Sequence, residues 1–231
     1  MDPLSDEKIV DSWGKNATPW IAAVREEQVE SRKLCTNRAI VEAVLSCTPR
    51  TVLDLGCGEG WLTRTLTAHG LQVTGIDVVP ALIEDAQRTG DGTFLVLSYE
   101  DLAEGKWGET VDAVVCNFSL LGKESVEGIV RAASTLLNPQ GRFIVQTLHP
   151  GWACGDTPYR DGWRKGSWAG FGDDFTDPAP WYFRTLASWI HLFLTNDFHL
   201  LDLREPIHPE HGKPASVIFI AERKEDASRS L

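Results

Sequence analysis

Apolar residues in the middle of the chain fall in short consecutive runs, at residues 51–55, 72–76, 93–97, 111–116 and 142–147, each rich in Val, Ile or Leu. Consecutive rather than alternating apolar positions suit strands covered on both faces. Between the runs lie segments that read as helices, at 61–68, 80–88 and 123–137. Pro80 is preset for a first helical turn, and Asn138-Pro139-Gln140-Gly141 supplies a stop after the third helix. Strand and helix alternating at similar spacing predict βαβ units, hence an α/β fold around a parallel sheet.

The two ends follow other patterns. Residues 6–46 space Ile21, Val24, Val29, Ile40, Val41, Val44 and Leu45 among charges, which predicts two or three helices covering the core. Residues 149–180 are crowded with Gly, Asp, Pro and aromatics and show no sustained period, as expected of a lid or substrate loop. A helix is expected over 185–196, followed by apolar runs at 198–203 and 216–221. Their short connection suits an antiparallel hairpin, because parallel strands need a dozen or more linking residues. The polar tail 222–231 is expected to fray. The resulting division is one domain over 1–231, with a helical cover (1–48), a ligand-binding core (49–148), a lid or substrate loop (149–184) and a C-terminal helix and hairpin (185–231).

Composition narrows the partners. The 231 residues carry 22 Lys and Arg against 33 Asp and Glu, a net charge of 22 − 33 = −11, which disfavours nucleic acid and anionic lipid. No apolar run approaches the roughly 20 residues that span a bilayer, and Met1-Asp2-Pro3-Leu4-Ser5-Asp6-Glu7 lacks the basic start of a signal peptide, so a cytoplasmic location is expected. Cys35, Cys47, Cys57, Cys116 and Cys154 form no C-x-x-C pair, which fits reduced thiols better than disulfides or structural zinc.

The most informative segment is Val52-Leu53-Asp54-Leu55-Gly56-Cys57-Gly58-Glu59-Gly60, a strand entering three alternating glycines and then a helix. Glycine is required where backbone turns at positive φ or approaches a ligand more closely than a Cβ permits. A P-loop reading fails because Trp61-Leu62, not Lys and Ser or Thr, follows Gly60. A dinucleotide fingerprint from Gly56 would need its third glycine where Trp61 stands. The spacing G-x-G-x-G instead leaves room for a smaller ligand with an adenosine half and a short charged tail. Asp77 ends the second strand, 21 positions beyond Gly56; it can grip both ribose hydroxyls, or cap the helix beginning near Pro80.

In these motifs the chain resembles class I S-adenosylmethionine-dependent methyltransferases. The resemblance rests on residues 52–60, on Gly75-Ile76-Asp77, on Leu97-Ser98-Tyr99-Glu100-Asp101-Leu102, on Asp112-Ala113-Val114-Val115-Cys116-Asn117 and on Leu136-Leu137-Asn138-Pro139-Gln140-Gly141-Arg142. It implies a doubly wound, mainly parallel seven-stranded sheet with an antiparallel C-terminal hairpin strand, the Rossmann-like methyltransferase fold. It also implies S-adenosylmethionine as cofactor and S-adenosylhomocysteine as product. By the resemblance, Gly56, Gly58 and Gly60 pack against the methionine portion, Asp77 holds the ribose, and Tyr99 and Glu100 flank the adenine. Asp54, Cys57, Val78, Ser98, Asn117 and Phe118 complete the expected cofactor set, with Trp20 and Arg32 from the cover. Ser98 stands where the family often has Asp. Arg32 can pair with the cofactor carboxylate as a bidentate fork or remain an ordinary exposed arginine.

Asn117-Phe118-Ser119-Leu120 lacks the prolines of the Asn-Pro-Pro-aromatic motif that accompanies methylation of adenine or glutamine nitrogen. A small-molecule acceptor is therefore expected, with oxygen favoured over nitrogen. In-line displacement gains mainly from alignment, and a hydroxyl acceptor also needs a base. His149, directly after the fifth strand, leads, with Tyr182 and His208 as further catalytic candidates. His208 and His211 have a spacing that metal ligands use, but no Cys or Asp cluster accompanies them, and no metal is expected. Trp20, Trp152, Tyr159, Trp163, Trp181 and Tyr182 are expected either to line an apolar cleft or to form the core of the covering segments. A catalytically silent cofactor-binding domain, an N-methyltransferase and a nicotinamide-dependent oxidoreductase are the competing readings. An apolar stripe on the N-terminal helices fits either a monomer that covers its own crevice or a homodimer.

Overall fold

The computed structural model describes residues 1–224. In chain order the elements are α1 (Asp6–Lys15), α2 (Ala17–Arg25), a π-helical turn (Arg32–Thr36), α3 (Asn37–Ser46), β1 (Thr51–Leu55), α4 (Trp61–Ala68), β2 (Gln72–Asp77), α5 (Pro80–Thr89), β3 (Thr93–Val96), α6 (Tyr99–Ala103), β4 (Val111–Asn117), α7 (Glu124–Leu136), β5 (Leu137–Leu148), α8 (Pro150–Ala153), β6 (Gly162–Arg164), β7 (Trp181–Phe183), α9 (Leu186–Leu194), β8 (Phe198–Arg204) and β9 (Ser216–Arg223). Seven strands form one sheet in the order β3-β2-β1-β4-β5-β9-β8; β1 to β5 run parallel, and β9 is antiparallel to both β5 and β8. The expected fold class is borne out, hairpin included.

Period-two alternation explains the consecutive apolar runs. Leu53, Leu55, Val114, Cys116, Phe143, Val145, Val217 and Phe219 face α7 and α9 in one core. Their neighbours Val52, Ala113, Val115, Ile144, Ile218 and Ile220 face α3 and α4 in the other. Both faces of the central strands are thus buried under helices, the condition that makes a parallel sheet stable. Phe219 packs against Phe193 with ring centroids 5.2 Å apart, fastening the C-terminal hairpin to α9.

Three local expectations are corrected. Strand β5 starts at Leu137 rather than at 142: Val111 pairs with Leu137 and Ala113 with Arg142, so the Asn138 to Gly141 stretch bulges within the strand, with Gln140 at φ 62°. Segment 149–184 is not wholly irregular, since it carries α8 and the antiparallel pair β6–β7. That pairing joins segments remote in sequence and leaves no local period. Of the tail expected to fray, Glu222 and Arg223 pair in β9, and residues 225–231 lie outside the described residues. Among the described residues no helix is long and apolar enough to cross a membrane.

The N-terminal cover is tied to the core by polar contacts as well as packing. Asp6 accepts from Lys123 N and Ser125 N at 2.8 and 2.6 Å, so α1 supplies the N-terminal cap that α7 lacks in its own sequence. Buried Asn16 donates to Thr176 O at 2.7 Å and accepts from Thr176 N at 2.8 Å, a two-way clamp on the lid. Asp177 is ion-paired with Lys8 and Lys15, while Ser12 donates to its carbonyl at 2.5 Å. Replacing Asn16 by Ala leaves both Thr176 groups unpaired, at about 1–3 kcal/mol. Limited proteolysis of the Asn16→Ala variant is expected to cut first within 165–180, with cofactor-independent melting a few degrees lower.

Candidate active site

Strand β1 lies between β2 and β4, with Leu55 beside Ile76 on one side and Cys116 on the other. That register brings the loops leaving these three strands together at the carboxyl edge of the sheet, where open α/β sheets form their binding crevice. Gly56 N and Cys57 N donate to Ile76 O at 2.8 and 2.9 Å, and Gly58 N donates to Asp77 Oδ2 at 3.0 Å. The other carboxylate oxygen of Asp77 accepts from Val79 N at 2.9 Å. Asp77 thus staples the glycine loop to the next turn, and each oxygen keeps a further acceptor position for a ligand hydroxyl.

Gly56 takes φ 70°, and a Cβ there would stand 2.4 Å from Ser119 Cβ. Both facts demand glycine. Ser119 donates to Leu55 O at 2.6 Å, and Tyr99 Oη donates to Ser119 O at 3.2 Å, so the loop after β4 is drawn onto the glycine loop. Phe118, just before it, holds φ 56°, a left-handed conformation that costs of order 1–3 kcal/mol in a bulky residue. Its N–H donates to Gln146 O at 2.8 Å, while Asn117 accepts from Gln146 Nε2 at 3.1 Å.

Charge around this loop is one-sided. Asp54 and Glu59 are buried and Asp77 stands at the same loop. Glu59 is ion-paired with Arg64 and accepts from Trp61 N at 2.9 Å. Asp54 has only Thr63, which donates to its Oδ2 at 2.8 Å, and its Oδ1 is buried with no protein partner. Burial pushes the Asp54 carboxyl up to about 7, Thr63 opposing and neighbouring Asp77 reinforcing. Burial also raises Asp77, against the N–H groups of Val79 and Gly58. A cation beside this loop would offset what the protein leaves uncompensated.

The cover roofs the loop with aromatic rings. Trp20 Nε1 lies 3.6 Å from where a Cβ on Gly58 would stand. Trp13 meets Trp20 edge-on at 5.1 Å, Trp168 meets Trp13 at 5.6 Å, and Phe171 of the lid lies 6.2 Å from Trp20. Val78 and Val79 pack beneath the same cluster. Arg32 lies between Trp20 and Trp61, its guanidinium carbon 5.7 and 5.4 Å from the two ring centroids. Its Nε donates to Asn37 Oδ1 at 3.1 Å, and it lines a cleft with Glu59, Trp61 and Arg64. A carboxylate-bearing ligand tail could meet Arg32 there.

Other expected residues have different company. Ser98 and Asp101 form a reciprocal cap at the start of α6, with bonds of 3.1 and 3.0 Å, so the Ser98 hydroxyl serves the helix first. Glu100 is exposed on that helix. His149 follows β5 and precedes α8, largely buried, with Nε2 2.7 Å from Glu205 Oε1 and Nδ1 buried without a protein partner. Beside it, Leu120, Thr147, Leu148, Trp181, Tyr182 and Trp189 line a second, narrow cleft. Neither His149 nor His208 is part of that lining; His149 sits between the lining residues Leu148 and Pro150, whereas His208 lies in the β8–β9 connection against Glu30 and His211. Trp152 and Tyr159 are exposed, and Trp163 stacks edge-on against Tyr182, so the expected aromatic cleft divides into a roof at Trp20 and a pocket at Trp181 and Tyr182. Glu59, Ser119 and Glu205 were not singled out by sequence. Glu59 lay inside the glycine motif, but Ser119 and Glu205 carry no spacing signal.

Residues 52–141 match a family described as a methyltransferase domain. An O-methyltransferase of ubiquinone biosynthesis from Xanthomonas oryzae pv. oryzae is 37% identical over 114 residues, 47% of this chain and 47% of that protein. The chain thus aligns with about half the length of the curated relatives it matches. A 1,6-didemethyltoxoflavin-N1-methyltransferase structure from Burkholderia thailandensis superposes with TM-score 0.63 at 19% identity, covering 94% of this chain and 91% of that one. An S-adenosylmethionine-dependent methyltransferase from Mesorhizobium loti gives TM-score 0.60 at 20% identity, over 78% and 96%. The resemblance read from the motifs, and the Rossmann-like methyltransferase fold it implied, are borne out.

Two outcomes are expected at the loop. Gly56→Ala should weaken nucleoside ligands more than tenfold in calorimetry while the folded circular-dichroism signal persists. Because folding raises the Asp54 carboxyl from its unfolded value near 4 to about 7, the native state holds more protons between those values. Stability of the ligand-free protein should therefore fall as pH rises from about 4 to about 7, and Asp54→Asn should flatten that slope in thermal melts.

Proposed function

We propose that this chain, carrying a methyltransferase domain over residues 52–141, is an S-adenosylmethionine-dependent methyltransferase that methylates oxygen on a small-molecule acceptor. The observation that carries the reading is the glycine loop flanked by Asp54, Glu59 and Asp77, with Arg64 alone ion-paired to the set. A dinucleotide would bring an anionic pyrophosphate to this loop, against three carboxylates. S-adenosylmethionine brings a sulfonium and an ammonium, and its single carboxylate has Arg32 available.

The residues present fit that group: the glycine loop keeps its backbone bare under the Trp20 roof, Asp77 retains acceptor positions for the ribose, and buried Asp54 Oδ1 has no protein donor. Bound there, the cofactor supplies an activated methyl group on sulfur. The chain's own work is to align the acceptor, exclude water and take up a proton. Trp20, Phe171 and Trp168 shield the loop, and alignment in such a closed site can supply roughly 7–11 kcal/mol. His149 is oriented by Glu205 through Nε2, and its Nδ1, buried without a protein partner, would take the acceptor proton once the adjoining segment opens to the acceptor, a contribution of about 10²–10⁴ in rate. The aromatic rings of Trp181 and Tyr182 beside this narrow cleft offer faces to a flat, partly apolar acceptor. The match to an O-methyltransferase over residues of the core lends the oxygen reading support.

Calorimetry should give binding of S-adenosylmethionine and S-adenosylhomocysteine and none of NAD; tight NAD binding alone would overturn the reading. Cofactor affinity is expected to rise with pH up to about 7 and then level, since Asp54 must ionise to meet a cation. With a methyl-labelled cofactor and a panel of phenols and amines, transfer to phenols is expected. His149→Ala should lower kcat by about 10²–10⁴ with little change in cofactor affinity, and Glu205→Gln should lower it less while moving the pH profile. Transfer to amines only, undiminished in His149→Ala, would remove both the oxygen reading and the base.

A further inference from the structure

The connection between β8 and β9 leaves the carboxyl edge of the sheet, because Ser216 at the start of β9 pairs with Leu148 at the end of β5. It is a firmly built turn. His208 N donates to Lys213 O and Gly212 N to His208 O, both at 2.9 Å, while Ala215 N donates to Pro206 O at 2.8 Å. Ile207 and Pro214 form an isolated bridge across it. Two imidazoles are held on this frame: His208, 6% exposed, and His211, exposed, stacked on it with ring centroids 4.5 Å apart and planes 14° from parallel.

Glu30 reaches them from the segment that joins α2 to the π-helical turn, its Oε2 3.7 Å from His208 Nε2. One ligand atom from each of Glu30, His208 and His211 lies within 4.8 Å of the others, the one such group found among the described residues. A tetrahedral ion with bonds of about 2.0–2.1 Å holds its donors roughly 3.4 Å apart. The three side chains therefore need to close by an ångström or so, and the two that must move, Glu30 and His211, are exposed, His211 shifting out of its stack on His208. The hydrogen bond that opposes closure, Glu210 N to His208 Nδ1, is 3.4 Å long and weak.

We propose that Glu30, His208 and His211 form a site for a divalent transition metal of the zinc class, with solvent as the remaining ligand. Two imidazoles and one carboxylate suit Zn²⁺, Co²⁺ or Ni²⁺, whereas Mg²⁺ and Ca²⁺ prefer all-oxygen shells. The ion joins the N-terminal cover to the tip of the C-terminal hairpin across the open edge of the sheet. Arg32 lies two residues beyond Glu30, so occupancy also fixes the cover segment that borders the glycine loop. The site stands apart from the methyl-transfer reading and does not depend on it.

The test uses the full chain, stripped with chelator and titrated with Zn²⁺, Co²⁺ and Mg²⁺. One equivalent of Zn²⁺ is expected to bind and to raise the melting temperature, with Mg²⁺ inert. Co²⁺ should give visible d–d absorption of a nitrogen and oxygen shell, without the near-ultraviolet bands of cobalt thiolate. Glu30→Gln and His211→Ala, both at exposed positions that leave the fold intact, should each weaken Zn²⁺ at least about tenfold and abolish the thermal shift. Binding unchanged in both variants, thiolate bands with Co²⁺, or no binding at about 100 μM Zn²⁺, far above the range of structural zinc sites, would each overturn the proposal.

Discussion

The approach of Gly56 to Ser119 governs the arrangement of the site. Parallel pairing sets β1 between β2 and β4, and the three loops that leave those strands can meet only if the first carries no side chain at the point of contact. With glycine there, the Ser119 hydroxyl reaches Leu55 O, Tyr99 reaches Ser119 O, and Asp77 can take the Gly58 amide. Any Cβ at 56 would push the β4 loop away and break this set together. The strained Phe118 backbone is held in place by the same contacts.

That crowding concentrates negative charge. Asp54 and Asp77 lie beside Glu59 where burial makes their own ionisation expensive, and the fold answers with an ion pair from Glu59 to Arg64 and a few amide hydrogen bonds. Buried charge left short of partners is costly in a ligand-free protein and advantageous to one whose ligand is cationic. Arg32 is the complementary case. It is a largely buried cation between two tryptophan rings, drawn by Glu59 and Asp54 yet with Asn37 as its direct hydrogen-bond partner, and burial lowers its proton affinity. The two features together specify a ligand with positive charge at the loop and a negative group at the cover.

Closure over the loop depends on contacts between segments far apart in the chain. Asn16 and Asp177 join the cover to the lid, Asp6 caps α7, and Arg184 donates to Gly122 O and Lys123 O at 2.8 and 3.0 Å beneath Tyr182 and Trp189. Arg184 thus serves as a brace for the loop after β4, with one donor on each terminal nitrogen engaged by a carbonyl. The lid is fastened toward its C-terminal end, at Thr176 and at Arg184, by buried or part-buried hydrogen bonds, so freeing that end means breaking them.

Much was legible in the residues themselves. Consecutive apolar runs declared strands buried on both faces, because in a parallel sheet each face is covered by helices. Alternating glycines before Trp61, and Asp77 at the end of the second strand, fell together at the carboxyl edge of the sheet, because those signals arise from local backbone sterics and fixed spacing. Ser98 acting as a cap, the bulge that lengthens β5 and the β6–β7 pair escaped notice, each depending on a partner the local pattern does not show. The same limit separates what is known of His149 and His208. Sequence placed one after a strand and the other in a turn; only the folded chain brought Glu205 to the first and Glu30 to the second, since contacts between residues 56 and 178 positions apart are set by strand order and packing, not by spacing along the chain.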